Sequence, residues 1–246
     1  MKKFLFLVSL VSIFSLFSCK DNKELVIFTN AEFPPFEYMK GQEIVGVDAD
    51  IAAEIGKVLN KKVVIQNIEF GSIIPAVQSG KADMSLAGMT VTEERKKQVD
   101  FSIPYAESVQ YIISFADAPV TDLASLADKR VGVQAGTTGH ILMDDAIANN
   151  TIQNIKLSAF TNASIAVQEL TTDRLDAVVI DKLPAQVIAK KNDKLVLHEV
   201  TTTTERYAAC VKKGNTELLT TVNEVIKELL ESGKIDEFIL KHTVEF

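Results

Sequence analysis

The chain of 246 residues has no tryptophan, two cysteines and three histidines. Two cysteines, Cys19 and Cys210, cannot make a disulfide framework. His140, His198 and His242 stand apart from one another and from any acid at metal-ligand spacing, so no metal and no cofactor is expected. Phosphate-cradling and nucleophile motifs are missing as well: there is no G-x-x-x-x-G-K-[ST], no G-x-G-x-x-G and no G-x-S-x-G. Bases are in deficit, 26 against 33 acids for a net charge of −7, which argues against a broad nucleic-acid-binding face. No Gly/Ser- or Pro-rich run marks a flexible linker. What remains, 47% hydrophobic and 24% charged, is the composition of an ordinary globular protein.

The longest apolar run lies at the start. Lys2 and Lys3 precede residues 4–17, which are apolar apart from serines. About fourteen residues at ~1.5 Å each span about 21 Å, short of the ~30 Å hydrocarbon core, so residues 1–18 read as a signal peptide rather than an anchor helix. Leu16-Phe17-Ser18-Cys19 resembles the lipobox of bacterial lipoproteins. That resemblance implies cleavage before Cys19, acylation of Cys19 and a short tether over 19–23, with the protein held to a bacterial membrane and facing the periplasm or the cell exterior. An ordinary secretory signal with an incidental late cysteine is the alternative. Cleavage removes two lysines and no acids, taking the charge from −7 to −9.

Beyond the tether, strand and helix patterns alternate. Residues 25–28, 63–65, 83–87, 129–134 and 176–180 read as strands. Helices are expected over 72–79, ending before Gly80, over 217–230, and after Asp48 as a cap, with Ile51, Ile55, Val58 and Leu59 on one stripe. This alternation predicts an α/β architecture with largely parallel sheets. Ala76-Val77-Gln78 and Ala166-Val167-Gln168 each lead through a turn into a strand, a faint echo that suits two similar lobes. Cys210 sits in the apolar run 207–211 and reads as a buried, inert thiol.

In such sheets ligands bind beyond the carboxyl ends of strands. Those ends carry Asn30 and Phe33; Gly88, Thr90 and, after the cap Thr92, Arg95; Gln134 with Thr137 and Thr138 opening a helix; and Asp181. Arg95, Thr90 and the 137–138 turn make a donor cluster, Asp181 and the carbonyls near Gly88 an acceptor cluster. The two together suit a zwitterionic α-amino acid, whose unpaired charges would cost several kcal/mol in a dry cleft. Phe33 and Phe70 can sandwich an aliphatic stem, and Asn30 and Gln134 can meet a polar tip.

The segments Thr29 to Tyr38 and Gly46 to Ile51, then Ile74 to Asp83 running through Ala87-Gly88-Met89-Thr90 to Thr92-Glu93-Glu94-Arg95 and Asp100-Phe101-Ser102, resemble the bacterial family 3 extracellular solute-binding proteins. Val131 to Gln134 with Gly136-Thr137-Thr138, and Asp176-Ala177 with Asp181, are similar to later motifs of that family. The resemblance implies a two-lobed periplasmic-binding-protein (type II) fold, each lobe a mostly parallel sheet flanked by helices, the lobes joined by two crossing strands. It places lobe 1 at 24–107 plus 206–246 and lobe 2 at 108–205. Carried over by position, Arg95, Thr90 and Thr138 hold an α-carboxylate, Asp181 and the Gly88 carbonyl hold an α-ammonium, and Phe33 and Phe70 form opposite walls. Asn30 stands where the family often has Asp, which removes one counter-charge for a cationic ligand.

The expectation is a monomeric, non-catalytic receptor that closes on a free amino acid and hands it to the permease subunits of an ABC importer, with no nucleic-acid partner. Two rivals belong to other classes. An exported enzyme on the same fold, of the cyclic-acid dehydratase type, would need a general acid, with Glu32 and Glu37 nearest. A sensor module would need a separate signalling partner.

Overall fold

The computed structural model describes residues 23–200 and 203–245. The signal peptide, Cys19 and nearly all of the tether therefore lie outside the described residues, and no helix within them is long and apolar enough to cross a membrane.

The chain opens on β1 (Glu24–Thr29), passes through a small sheet of β2 (Glu32–Phe33), β3 (Glu37–Lys40) and β4 (Glu43–Val45), and enters α1 (Val47–Leu59). Asp48 does not cap α1. Gly46 is the N-cap, at φ 135°, where a Cβ would lie 2.1 Å from the Phe36 carbonyl oxygen. Asp48 sits inside the first turn with its carboxylate turned into the protein. β5 (Lys62–Asn67), α2 (Phe70–Gln78) and β6 (Met84–Ser85) follow, then α3 (Glu93–Lys96) and β7 (Val99–Phe101).

Crossing to the second lobe uses β8 (Ala106–Ser108), which leads directly into β9 (Gln110–Phe115). That lobe contains β10 (Arg130–Gln134), α4 (Thr138–Ala148), β11 (Lys156–Phe160), α5 (Ala163–Thr171), β12 (Ala177–Asp181), α6 (Lys182–Ala189) and β13 (Leu195–Glu199). The return runs through β14 (Glu205–Tyr207), which pairs antiparallel with β8 as Glu205↔Ser108 and Tyr207↔Ala106. β15 (Cys210–Lys212), α7 (Thr216–Glu231) and α8 (Lys234–Glu245) then complete the first lobe.

Two five-stranded sheets result, β5-β1-β6-β15-β7 and β11-β10-β12-β9-β13. In each sheet four of the five strands share one direction, and a single reversed strand, β15 or β9, is antiparallel to both its neighbours and makes the sheet mixed. The reversed strand is the one by which the chain enters the lobe after a crossover, whereas the strands that leave, β7 and β13, run with the βαβ units. The sequence echo has a structural counterpart: β1-α1-β5-α2-β6 and β10-α4-β11-α5-β12 place their first strand between the other two in the same way.

Both faces of each sheet are covered, which explains the uninterrupted apolar strands. Leu25 and Ile27 face the α1–α7 side with Ile51, Ile55, Val222 and Ile226, while Phe28 faces Ile73, Val77 and the buried Cys210 on the α2 side. Val131, Val133 and Val179 pack with Met143 of α4, whereas Val178 and Ile180 face Ala166 and Leu170 of α5. Burial pushes the Cys210 thiol up to about 12, as an inert core thiol requires. On α7, buried Val222, Val225, Ile226 and Leu229 supply roughly 6–12 kcal/mol of transfer free energy, before conformational entropy is subtracted.

Candidate functional site

One narrow cavity lies where the carboxyl ends of the two sheets meet. Asn30, Phe33, Phe70, Gly88, Thr90, Arg95, Gln134, Thr138 and Asp181 all line it, with Glu37, Ala87 and Thr137. Strand-end reasoning thus brings nine residues from a 152-residue span of chain to one hollow. The lobes touch across it: Gln134 Nε2 donates to Asn30 Oδ1 at 2.8 Å.

Arg95 is aimed by its local sequence. Thr92 caps α3 by accepting from the Arg95 N–H at 3.2 Å, which turns the side chain back toward the loop it follows. Its guanidinium donates to the Thr90 carbonyl at 2.6 Å and, across the cleft, to the Gly136 carbonyl at 3.0 Å. The Phe70 ring, at the start of α2, lies 5.3 Å from the guanidinium carbon. Arg95 is only 7% exposed and, among the described residues, has no carboxylate within ion-pair distance. The N-terminal N–H groups of α4 open on the same hollow at Thr137 and Thr138.

Asp181 ends β12 and is 5% exposed. It precedes α6, but its side chain makes no cap and instead accepts from Gln110 Nε2 at 3.1 Å. The same amide reaches Glu205 Oε1 at 2.9 Å. Burial, and next the Glu205 charge, push the Asp181 carboxyl up to about 7. Glu205, half-buried on the returning strand β14, accepts on Oε2 from Thr90 Oγ1 and from Thr138 Oγ1, both at 2.6 Å. The hydroxyl protons that a motif reading would give to a bound carboxylate are therefore donated to Glu205.

Gly88 adopts φ 51°, and a Cβ there would stand 2.8 Å from the Phe33 ring. A side chain at this position would push Phe33 off the cavity wall. The Gly88 N–H donates to Asp48 Oδ2 at 2.8 Å, and the Tyr105 hydroxyl donates to the same oxygen at 2.9 Å. Beside Asp48 lies Glu37, fully enclosed, with no N–H or O–H donor to either oxygen. Burial first and the Asp48 charge second hold Glu37 well above the usual carboxylate range, so that one proton serves the pair. This buried brace fixes the backbone turn that carries Gly88.

Gln110 and Glu205 are not identifiable as site residues by inspecting carboxyl ends of strands, because each opens its strand: Gln110 starts β9 and Glu205 the connecting strand β14. The one available signal was an acid, Glu205, between a four-threonine run and the apolar 207–211 segment. Chemically, the hollow offers a guanidinium and helix N–H groups toward one part, and Asp181, Glu205 and carbonyl groups toward another. No nucleophile–base pair is formed by its lining residues.

Residues 25–245 match the family described as bacterial extracellular solute-binding proteins, family 3. The arginine-binding extracellular protein ArtP of Bacillus subtilis is 33% identical over 249 residues, covering 96% of each chain. Among solved structures, an ancestral arginine-binding protein bound to arginine superposes with a TM-score of 0.84 at 39% identity, over 89% of this chain and 98% of that one. An ancestral arginine-binding protein bound to glutamine gives 0.82 at 40% identity, over 89% and 97%.

Proposed function

The chain belongs to the bacterial extracellular solute-binding proteins of family 3, and on that premise we propose that it captures a free amino acid between its two lobes and delivers it to an ABC importer. The observation that carries this reading is the pairing of opposite charges across the cavity, Arg95 from one lobe and Asp181 from the other, neither neutralised by the other. Arg95 and the α4 N–H groups take the carboxylate; Asp181 and the Gly88 carbonyl take the ammonium; Phe33 and Phe70 enclose the stem, and Asn30 and Gln134 meet its tip. A ligand that touches both lobes binds the closed arrangement better and draws the population toward it. In this reading lobe 1 comprises 24–107 and 206–246, lobe 2 comprises 108–205, and β8 and β14 bend between them. The protein works as a monomer and performs no chemistry on its ligand.

Charge selects among amino acids. Asn30 is neutral, but the lining acids Asp181 and Glu37, with Glu205 behind the wall, outnumber Arg95 around the hollow. A ligand of net positive charge balances that excess, so arginine heads the expected series. A thermal-shift screen of the mature chain against the common amino acids tests this. L-arginine should raise Tm most and acidic amino acids least; a flat response across the set would contradict the receptor reading.

Cleavage before Cys19 and its acylation would tether the receptor to the membrane that holds its permease. Mass spectrometry of protein from the producing membrane should show an acylated Cys19 as the first residue. An unmodified N-terminus from cleavage elsewhere would remove the anchor.

A further inference from the structure

We propose that Glu205 is a positioning residue for ligand capture: by accepting the hydroxyl protons of Thr90 and Thr138 on one oxygen, it turns both hydroxyls into acceptors for the ligand's ammonium. The inference rests on the amino-acid reading of the site.

A threonine hydroxyl has one proton and two lone pairs. Both protons are taken by Glu205 Oε2 at 2.6 Å, while Oε1 accepts from Gln110 Nε2 at 2.9 Å. Three donors thus converge on the one carboxylate, which acts toward all of them as acceptor. Thr90 and Thr138 line the cavity whereas Glu205 does not, so the protons point behind the wall; Thr138 Oγ1 also accepts from Gln110 Nε2 at 3.3 Å, which leaves it one lone pair, and Thr90 two, toward the hollow. A carboxylate ligand is repelled by those lone pairs; an ammonium beside Asp181 is received by them. Gln110 ties the arrangement to Asp181 through the same amide.

The position of Glu205 in the chain adds a conformational consequence. It begins β14, one of the two strands that join the lobes, paired with Ser108 of β8. Thr90 comes from the first lobe and Thr138 from the second. Both hydroxyls can reach the one oxygen only when the lobes have approached, so the ammonium subsite is assembled by closure. Glu205 thereby couples what the site recognises to what the hinge does.

The test uses the mature chain, calorimetry and two probes, L-arginine and L-glutamine. Glu205→Gln places an amide donor in the network, so at least one hydroxyl or Gln110 must reverse its bond. It should weaken binding of the probe ligand by 10- to 100-fold. In a Thr90→Val/Thr138→Val background, the same change should cost less than threefold, since the hydroxyls it orients are gone. A second readout separates positioning from mere support. Asp181 is faced by Glu205 and the Tyr207 hydroxyl on β14, Gln110 on β9, Arg95 on α3 and Glu37 on β3, and Glu205 supplies the nearer negative charge. Removing that charge should lower the number of protons released on binding at pH 7. Binding by Glu205→Gln within threefold of wild type, or an undiminished loss in the double-valine background, would overturn the proposal. If wild type binds neither probe nor any other common amino acid, the amino-acid reading itself falls and this inference with it. Should Glu205→Gln fail to fold, Thr90→Val is expected to bind at least tenfold more weakly than Thr90→Ser, and equal affinities would overturn the proposal.

Discussion

Replacing Arg95 with alanine should abolish amino-acid binding at micromolar protein concentration, a loss of roughly 10²- to 10⁴-fold, corresponding to the ~3–5 kcal/mol of an unpaired buried charge. The side chain is 7% exposed and has no ion-pair partner among the described residues, so in the proposed reading a bound carboxylate supplies its counter-charge. Arg95→Lys should recover only part of the affinity. An ammonium cannot donate to the Thr90 and Gly136 carbonyls and to a bidentate carboxylate in one planar fork. Arg95 also ties α3 to the second lobe, so unfolding by circular dichroism is measured alongside. A folded Arg95→Ala protein with wild-type affinity would remove the carboxylate subsite from this position.

Asp181→Asn should have two opposite effects. Ligand affinity should fall by about 10²- to 10³-fold, ~3–4 kcal/mol, the scale of truncating one member of a buried charge pair. Stability of the ligand-free protein should rise at neutral and higher pH. The sign follows from the titration. In the folded protein burial raises the Asp181 carboxyl to about 7, well above the ordinary carboxylate range. A group shifted upward contributes stability that is fully present below its unfolded value and lost as pH rises through its folded one. Ligand-free wild type should therefore become less stable between pH 5 and 8, and Glu37, raised in the same direction, adds to the trend. Asn at position 181 carries no such term, so the variant should melt with wild type near pH 4 and above it at pH 8. Thermal melts across pH check this; parallel curves for the two proteins would show that Asp181 is not the buried acid responsible. Receptor sites stored in this way trade stability for function.

Much of the site was legible because of where α/β sheets hold ligands. Asn30, Gly88, Gln134 and Asp181 each follow or end a strand recognisable from its apolar run, and Thr92 announced the short helix that aims Arg95. Helix stripes were readable for the same reason: expectation placed the long helix at 217–230 and the structure has Thr216–Glu231. Reversed strands escaped notice because direction leaves no mark on composition. β9 and β15 are apolar like their parallel neighbours, and only the crossover pairing of β8 with β14 determines their sense. Asp48 looked like a helix cap by spacing. Its partners, Gly88 and Tyr105, are 40 and 57 residues away, and no local pattern records them. Glu205 and Gln110 were missed on the same ground: their importance comes from meeting Thr90, Thr138 and Asp181 across the lobe junction.

The position of Phe33 shows how strictly these long-range contacts are specified. Its ring stacks on Phe36 at 6.1 Å and lies tilted to Tyr207 at 6.2 Å, while Gly88 leaves no room for a side chain beneath it. An aromatic wall, a left-handed glycine and a shared-proton acid pair thus form one support on the first lobe. The second lobe contributes a helix N-terminus and a strand-end acid. Arg95 and Asp181, the guanidinium and the strand-end acid of the hollow, come from different lobes.

The most direct measurement of the central claim is calorimetric titration of the mature chain with L-arginine, followed by recovery of the ligand. One equivalent bound at micromolar affinity or tighter, with the amino acid returned chemically unchanged, is the predicted result. No heat with L-arginine or any other common amino acid, or conversion of a supplied cyclic acid to a new product, would contradict it.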